Sequence, residues 1–346
     1  MTDQLTQLLD DYWSYLLDEN PEMAYEVGDA RGRLQFYKHS LDDLARQEAA
    51  LKTFAKRIEA LDLSALSGRA VIDLALLTRD VTDRLEAFAL NEHLRPLYFP
   101  FGPDLYVSYC ISATVLETKS DYEDYLTRLA TLPALFAAHQ ERIMTGAQQY
   151  GFKLPRNLLP RLLASVSSYI DPETDKSVWM QPLANAPREI KDQATCLIDT
   201  QIRPAYQAWH DLLAGPYADI GLRDTVGLCD DPGGTAYYQH LIAHHTGTNL
   251  TAEEIHQTGL DEVARLTKAL EVVAAADGYD GRVDDYRAYL NTDSSHICSD
   301  AETLRQEIEV LAKRIDRKIP EFFGRMPAIT YGVEPIPVER SAQMPG

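Results

Sequence analysis

Apolar residues recur with a helical period along most of the chain, and this pattern limits the possible folds more than any other feature. An apolar residue every three or four positions marks one face of an α-helix. Stripes of this kind predict helices over about residues 2–18, 40–61, 68–95, 120–150, 188–214, 235–245, 252–276 and 299–323. The sequence therefore predicts a mainly α fold built as a large multi-helix domain.

One segment near the C-terminus does not fit the helical pattern. The stretch AITYGVEPIPVE, residues 328–339, is rich in β-branched and aromatic residues and contains two prolines. It predicts a short extended or β segment at that end of the chain. The sequence shows no repeat of fixed period and no flexible linker. Residues 1–346 are therefore expected to form a single helical region.

The charge and the cysteines limit the possible partners and the compartment. The 346 residues carry a net charge of −20, and this repels phosphate backbones and anionic membrane surfaces. No apolar run is long enough to span a bilayer, and no secretory signal is visible at the start. The four cysteines are widely separated, which suits a reducing compartment. We expect a cytoplasmic protein without nucleic-acid or membrane partners.

The stretch YQHLIAHHT, residues 238–246, raises the question of a metal site. His240 and His244 are four residues apart, which is the histidine spacing of the H-E-x-x-H zinc helix. However, Leu241 stands where that motif has its glutamate, and no third ligand is marked. The simpler interpretation is that both histidines lie on the polar side of an amphipathic helix. The prediction is that this chain holds no metal and no cofactor.

Two other patterns allow a functional and a structural interpretation. The turn at residues 231–235, DPGGT, enters a helix N-terminus and could bind an anion, but an ordinary turn is favoured because the phosphate-loop spacing is absent. Aromatic residues could line a peptide-binding cleft or simply pack between helices. They are Tyr98, Phe99, Phe101, Tyr106, Tyr109, Tyr237 and Tyr238. The residues themselves contain no complete catalytic constellation.

Several stretches, in order along the chain, resemble one family. They are DENPEMAYEVGD (18–29), ALDLSALSGRAVIDLALL (60–77), YGFKLPRNLLPRLL (150–163), GGTAYYQHLIAHHTGTNLTAEEIHQTGLDEV (233–263) and MPAITYGVEPIPVE (326–339). The set resembles the bacterial domain-of-unknown-function 885 family of helical, zincin-like metallopeptidases. The resemblance implies a zinc-dependent hydrolase acting on peptides. The fourth stretch is the strongest match, and it places His245 and His256 at histidines of the family pattern.

The family's H-E-x-x-H zinc helix is not present in residues 1–346. The resemblance therefore implies that this chain is the N-terminal part of such a protein, truncated before the zinc helix and inactive alone. It would form one wall of a peptide-binding cleft, with His245, His256, Tyr331, Tyr237 and Tyr238 as substrate-binding residues and no catalytic residue. Its partner would be the missing C-terminal half or a second copy of the chain. The alternative is a stand-alone helical binding module without enzymatic activity.

Overall fold

The structure, a computed structural model, describes residues 3–63, 66, 68–95, 97, 102–112, 114–292 and 297–336. Helices dominate these residues, as the periodicity predicts. The helices are α1 (Asp3–Glu19), α2 (Pro21–Glu26), α3 (Leu41–Glu59), α4 (Arg69–Ala89), α5 (Pro103–Ser112), α6 (Lys119–Leu129), α7 (Leu132–Thr145), α8 (Leu159–Ile170), α9 (Arg188–Leu197), α10 (Arg203–Leu212), α11 (Ala218–Ile220), α12 (Gly234–Thr246), α13 (Ala252–Ala276), α14 (Val283–Leu290) and α15 (Ala301–Phe322). The mainly α prediction is confirmed.

The chain divides into two compact units, Met1–Ala252 and Glu253–Gly346. In the first unit, aromatic rings occupy the centre of the main core. The ring of Tyr206 lies 4.4 Å from that of Phe136 and 5.2 Å from that of Trp179, and all three side chains are fully buried. A smaller core joins α1, α3 and α4. That residues 1–346 form one helical region stays a prediction.

The second unit has very little interior of its own. Among its described residues, only Ala274 and Tyr286 are buried. The apolar stripe of α15, which includes Leu304, Ile308 and Leu311, is about half exposed. No helix in the described parts of either unit is both long and apolar enough to cross a membrane.

Capping boxes mark the starts of α3 and α6. Ser40 caps α3 and forms a complete capping box with Asp43, although the usual partner at that position is Glu or Gln. Thr118 caps α6, and Asp121 closes its box. A shorter carboxylate can close the box in both cases because it still reaches back to the N-cap amide.

Residues 188–220 form one continuous helical segment, and this segment accommodates Pro204. A π-turn at Ile198–Ile202 joins α9 to α10, and a second at Leu213–Tyr217 joins α10 to α11. Pro204 lies in the first turn of α10. A proline cannot donate the backbone hydrogen bond that the regular helix needs, and the wider turn lies just before it.

The short strands are formed by different residues from the extended segment predicted near the C-terminus. β1 (Leu154–Pro155) and β2 (Leu222–Arg223) form a two-residue parallel ladder in the first unit. The described part of the predicted segment, residues 328–336, contains no strand. Ile329 and Tyr331 there are exposed, and Pro335 cannot donate to a ladder. β-propensity alone does not make a strand where no partner backbone pairs with it.

Candidate functional site

α12, which contains the histidine cluster, begins at a tightly held turn. The carboxylate of Asp231, just before the helix, forms an ion pair with Arg95. Its second oxygen accepts the backbone amide of Lys153 at 2.9 Å, and Arg223 lies 3.9 Å away. The side chains of Arg95 and Asp231 are only 8% and 4% exposed. The interpretation of residues 231–235 as an ordinary turn therefore agrees with the structure, because the Asp231 carboxylate is bound by groups of the protein itself.

The turn also requires glycine where the backbone comes closest to its neighbours. Gly233 has a φ of +66°, a conformation that side chains disfavour. A Cβ atom on Gly234 would lie 1.9 Å from the carbonyl oxygen of Leu228. These two glycines let the chain reverse and enter α12 without displacing Leu228.

Replacing Gly234 with alanine is expected to lower the free energy of unfolding by about 1–3 kcal/mol, because the backbone must shift to admit the methyl group. Chemical denaturation measures this loss. Gly215→Ala is the matched control, since a Cβ there meets nothing within 4 Å. A loss of the same size in both variants would show that the close approach at Leu228 is not the cause.

Tyr237 is half-buried and lies beside Arg95. The guanidinium of Arg95 lies 3.3 Å from the ring centre of Phe152 and 5.1 Å from that of Tyr237. Such cation–π stacking stabilises a partly buried arginine. Tyr237 therefore helps to fix α12 against the segment that contains Phe152.

His240 and His244 face carboxylates on α4 and just beyond it. His244 Nδ1 lies 2.6 Å from an oxygen of Asp83. The buried ring of His240 has Nδ1 at 3.4 Å from Glu86, and Nε2 at 4.0 Å from both Asp83 and Glu92. These contacts dock α12 on α4 through polar groups, as expected for histidines on the polar side of an amphipathic helix.

The same geometry does not suit a metal ion. Asp83 and Glu92 lie 4.0 Å from Nε2 of His240, whereas Glu86 faces its Nδ1. The shorter contact of Asp83 is with His244, at 2.6 Å. Among the described residues, no group of three or more His, Cys, Asp or Glu side chains is arranged to hold a metal. Zinc therefore does not fit the donor set found here.

An open groove runs between α4 and the C-terminal end of α12. Its volume is about 680 Å³, within the range of about 300–1,000 Å³ that is usual for ligand sites. The residues that line it are Val71, Leu74, Ala75, Thr78, Arg79, Thr82, Asp83, Glu86, Ala243, Gly247, Thr248 and Asn249. Another cavity, beside Arg128, has room for about 20 Å³ of water, which is about one molecule. The groove is therefore the better candidate for a ligand site.

Tyr238 and His245 lie on the outward side of α12. They are seven residues apart, two helical turns, so they share one side of the helix. Tyr238 is 43% exposed, and His245 is exposed with its ring against that of His244 at 4.7 Å. Both predicted substrate-binding residues are accessible to a ligand.

The other two predicted residues belong to the second unit. His256 is exposed near the start of α13. Tyr331 is also exposed, and its hydroxyl donates to a carboxylate oxygen of Asp316 at 2.9 Å. This hydrogen bond raises the pKa of Tyr331 and lowers that of Asp316. The contact holds the segment around Tyr331 against α15.

The remaining aromatic candidates do not form one surface. Tyr106 on α5 packs against Tyr37, in the segment between α2 and α3, with ring centres 4.9 Å apart. Tyr109, three residues further along α5, is exposed. Tyr98, Phe99 and Phe101 lie outside the described residues.

Comparison with known proteins identifies the family. The family described as "Bacterial protein of unknown function (DUF885)" matches residues 21–346, which is nearly the whole chain. The chain belongs to the DUF885 family. No curated protein matches this DUF885 chain.

One solved structure shares this fold. The DUF885 chain is similar to the "putative lipoprotein from Colwellia psychrerythraea", with a TM-score of 0.85 and 19% sequence identity. The match covers 100% of the DUF885 chain and 64% of that protein. At this identity the likeness establishes the fold alone, and the present chain spans less than two thirds of the solved protein's length.

α7 of the DUF885 chain carries a buried polar cluster that the sequence patterns do not reveal. His139 is 5% exposed, and its Nε2 lies 2.7 Å from the hydroxyl of Tyr37. Arg142, one turn further along, donates from Nε to the carbonyl of His93 at 2.7 Å. Burial lowers the pKa of His139 well below its ordinary value and that of Arg142 to about 10. The sequence does contain one sign of this burial, because both residues lie at positions that continue the apolar stripe of α7.

Proposed function

We propose that this chain is the non-catalytic N-terminal portion of a zinc-dependent, peptidase-like protein, and that it contributes one wall of a peptide-binding cleft. The observation that carries the proposal is the open groove beside α12. α12 lies in the stretch, residues 233–263, with the strongest resemblance to the family. On the opposite side of α12 from the groove, Tyr238 and His245 offer an aromatic and an imidazole side chain to a peptide that extends beyond the groove.

In this proposal zinc belongs to polypeptide outside the present chain. The described residues do not converge on a metal, so no step of a reaction is derived from them. What this chain supplies is binding. The groove offers apolar side chains and hydroxyl groups, and α4 supplies carboxylates along the same wall.

The second unit supports the docking of further polypeptide. The apolar stripe of α15 contains Leu304, Ile308, Leu311 and Ile315, which follow one another at intervals of three or four residues and remain about half exposed. A contiguous exposed apolar surface of this kind usually marks an interface. We propose that its partner is the polypeptide that completes the cleft, and self-association is the alternative.

A stand-alone binding module is the second candidate. The first unit favours it, because that unit has a continuous core of its own, centred on Trp179, Tyr206 and Trp209. A unit with such a core can present the groove without help from other elements. This candidate shares the peptide-binding wall and differs in requiring no further polypeptide.

Replacing Val71 with alanine is expected to weaken peptide binding by about 1 kcal/mol, because it removes part of an exposed apolar side chain that lines the groove. Fluorescence anisotropy with labelled unstructured peptides measures the affinity. Ile72→Ala, which shortens a similarly exposed apolar side chain at the next position of α4, outside the groove, is the control and is expected to leave affinity unchanged.

Two results would contradict the proposal. If the wild-type chain binds no peptide, the wall has no ligand of this class. If the purified chain hydrolyses peptides with one equivalent of bound zinc, its role is catalytic. Monomeric, stable behaviour in sedimentation without a partner would favour the stand-alone module.

A further inference from the structure

The groove between α4 and α12 has an apolar end and an acidic end. Val71, Leu74 and Ala75 line it near the start of α4, and Glu86 lies near the other end. An α-helix rises about 1.5 Å per residue, so Ala75 and Glu86 are about 16 Å apart along the axis. An extended chain covers about 3.3 Å per residue. About five residues of extended peptide therefore connect the two ends.

The charges along the groove leave one carboxylate without a strong partner. Arg79 donates to the carbonyl of His244 at the C-terminal end of α12, and Asp83 pairs with the ring of His244. Glu86 is 60% exposed and contacts only the ring of His240, at 3.4 Å. None of the described lysines or arginines pairs with Glu86. The acidic end of the groove can therefore accept a cation.

We propose that the groove binds an extended peptide segment of about five residues with an apolar side chain at one end and a lysine or arginine side chain at the other. The apolar side chain lies on Val71 and Ala75, and the cationic group lies beside Glu86. The inference rests on the proposed function and specifies the ligand of that cleft wall.

Charge complementarity selects this occupant over an acidic one. A carboxylate at the same position would face Glu86 in a protein that carries a net charge of −20. Like charges in contact disfavour a complex, and a complementary field also speeds association. Salt screens both effects, so affinity for the basic peptide is expected to fall as ionic strength rises.

The test uses fluorescence anisotropy of the full chain with four labelled peptides, capped at both ends to remove terminal charges. The first is Leu-Ser-Gly-Ser-Lys, two others replace its lysine with glutamine or glutamate, and the fourth replaces its leucine with serine. The lysine peptide is expected to bind best and the glutamate peptide worst. Only the lysine peptide is expected to lose affinity at high salt.

Two pairs of variants locate the contacts. Glu86→Gln is expected to weaken the lysine peptide about three- to fivefold and to leave the glutamine peptide unchanged, as for an exposed ion pair. Glu189→Gln, an exposed position on α9, is its control. Ala75→Trp fills the apolar end and is expected to weaken both peptides more than about tenfold. Leu76→Trp, on the neighbouring exposed position outside the groove, is the control for bulk.

The outcomes separate this inference from the proposed function. If Ala75→Trp blocks binding but the lysine and glutamate peptides bind equally well, the groove binds peptides and the charge preference is overturned. If peptides bind and Ala75→Trp has no effect, the groove is not their site and the inference is overturned. If none of these peptides or longer unstructured ones binds to the wild-type chain, the proposed cleft wall fails as well. Circular dichroism confirms that each variant is folded.

Discussion

Replacing Asp231 with alanine is expected to destabilise the first unit by about 3–5 kcal/mol, the usual cost of removing one partner of a buried ion pair. The variant leaves Arg95 buried without its carboxylate, and Arg223 loses the same neighbour. Burial already lowers the pKa of Arg95, which reflects the cost of holding its charge in this place. The amide of Lys153 also loses its acceptor. Urea denaturation followed by circular dichroism measures the loss.

Two further variants show whether the ion pair is the cause. Asp231→Asn keeps the shape and one acceptor oxygen, so it should lose the charge interaction and keep the hydrogen bond to Lys153. Asp224, seven residues before Asp231, has an exposed carboxylate that pairs with Arg156. Asp224→Ala is expected to lower the free energy of unfolding by less than about 1 kcal/mol. If Asp231→Ala costs no more than Asp224→Ala, the turn does not depend on the buried pair.

The second large effect is a loss of stability in acid that originates at His139. Burial, with the nearby charge of Arg142, lowers the pKa of His139 well below its ordinary value of about 6.5. The same two causes lower the pKa of the half-buried His39 to about 3. In the unfolded chain both histidines take up a proton near pH 6.5, whereas in the folded chain they remain neutral. The folded state therefore loses stability as pH falls below about 6.5.

The expected size of this loss is about 1.4 kcal/mol per pH unit for each such histidine. Two buried carboxyl groups act in the opposite direction. Burial raises the pKa values of Glu22 and Asp104, so the folded chain binds their protons more readily than the unfolded chain and gains stability as pH falls. The contribution of His139 is isolated by comparing the pH dependence of the unfolding free energy in the wild type and in His139→Gln.

Unfolding measured between pH 7.5 and about 5 should show a shallower decline for His139→Gln, by about 1.4 kcal/mol per pH unit. His256→Gln, a substitution at an exposed position in the second unit, should follow the wild-type curve. Parallel curves for the wild type and His139→Gln would mean that His139 is protonated equally in the folded and unfolded chain.

Local patterns in the sequence were sufficient to predict most helices and the turn before α12. The prediction of a helix over about residues 235–245 agrees with α12, Gly234–Thr246. It succeeds because a glycine turn and an apolar period are both properties of neighbouring residues. The periodicity misses α2, α5 and α14, which have six, ten and eight residues. Helices this short contain too few turns for a period to be recognised.

The partners of the polar residues could not be predicted in the same way. His244 meets Asp83 across 161 residues of sequence, and Arg95 meets Asp231 across 136. A spacing of four between His240 and His244 places both on one face of a helix, but it does not say what that face packs against. The spacing of the histidine pair resembles that of two zinc ligands. In the structure the two side chains contact carboxylates on α4 and help to hold α12 there.

By itself, the sequence determined the mainly α fold, the DUF885 resemblance and the side of α12 on which each histidine lies, because all of these depend on residues close together in the chain. Only the tertiary structure decided that α12 packs on α4, that His139 and Arg142 lie in the interior, and that Glu86 faces an open groove. These features depend on which helices pack together. Packing is determined by the complementarity of whole surfaces and not by the periodicity of apolar residues within one helix.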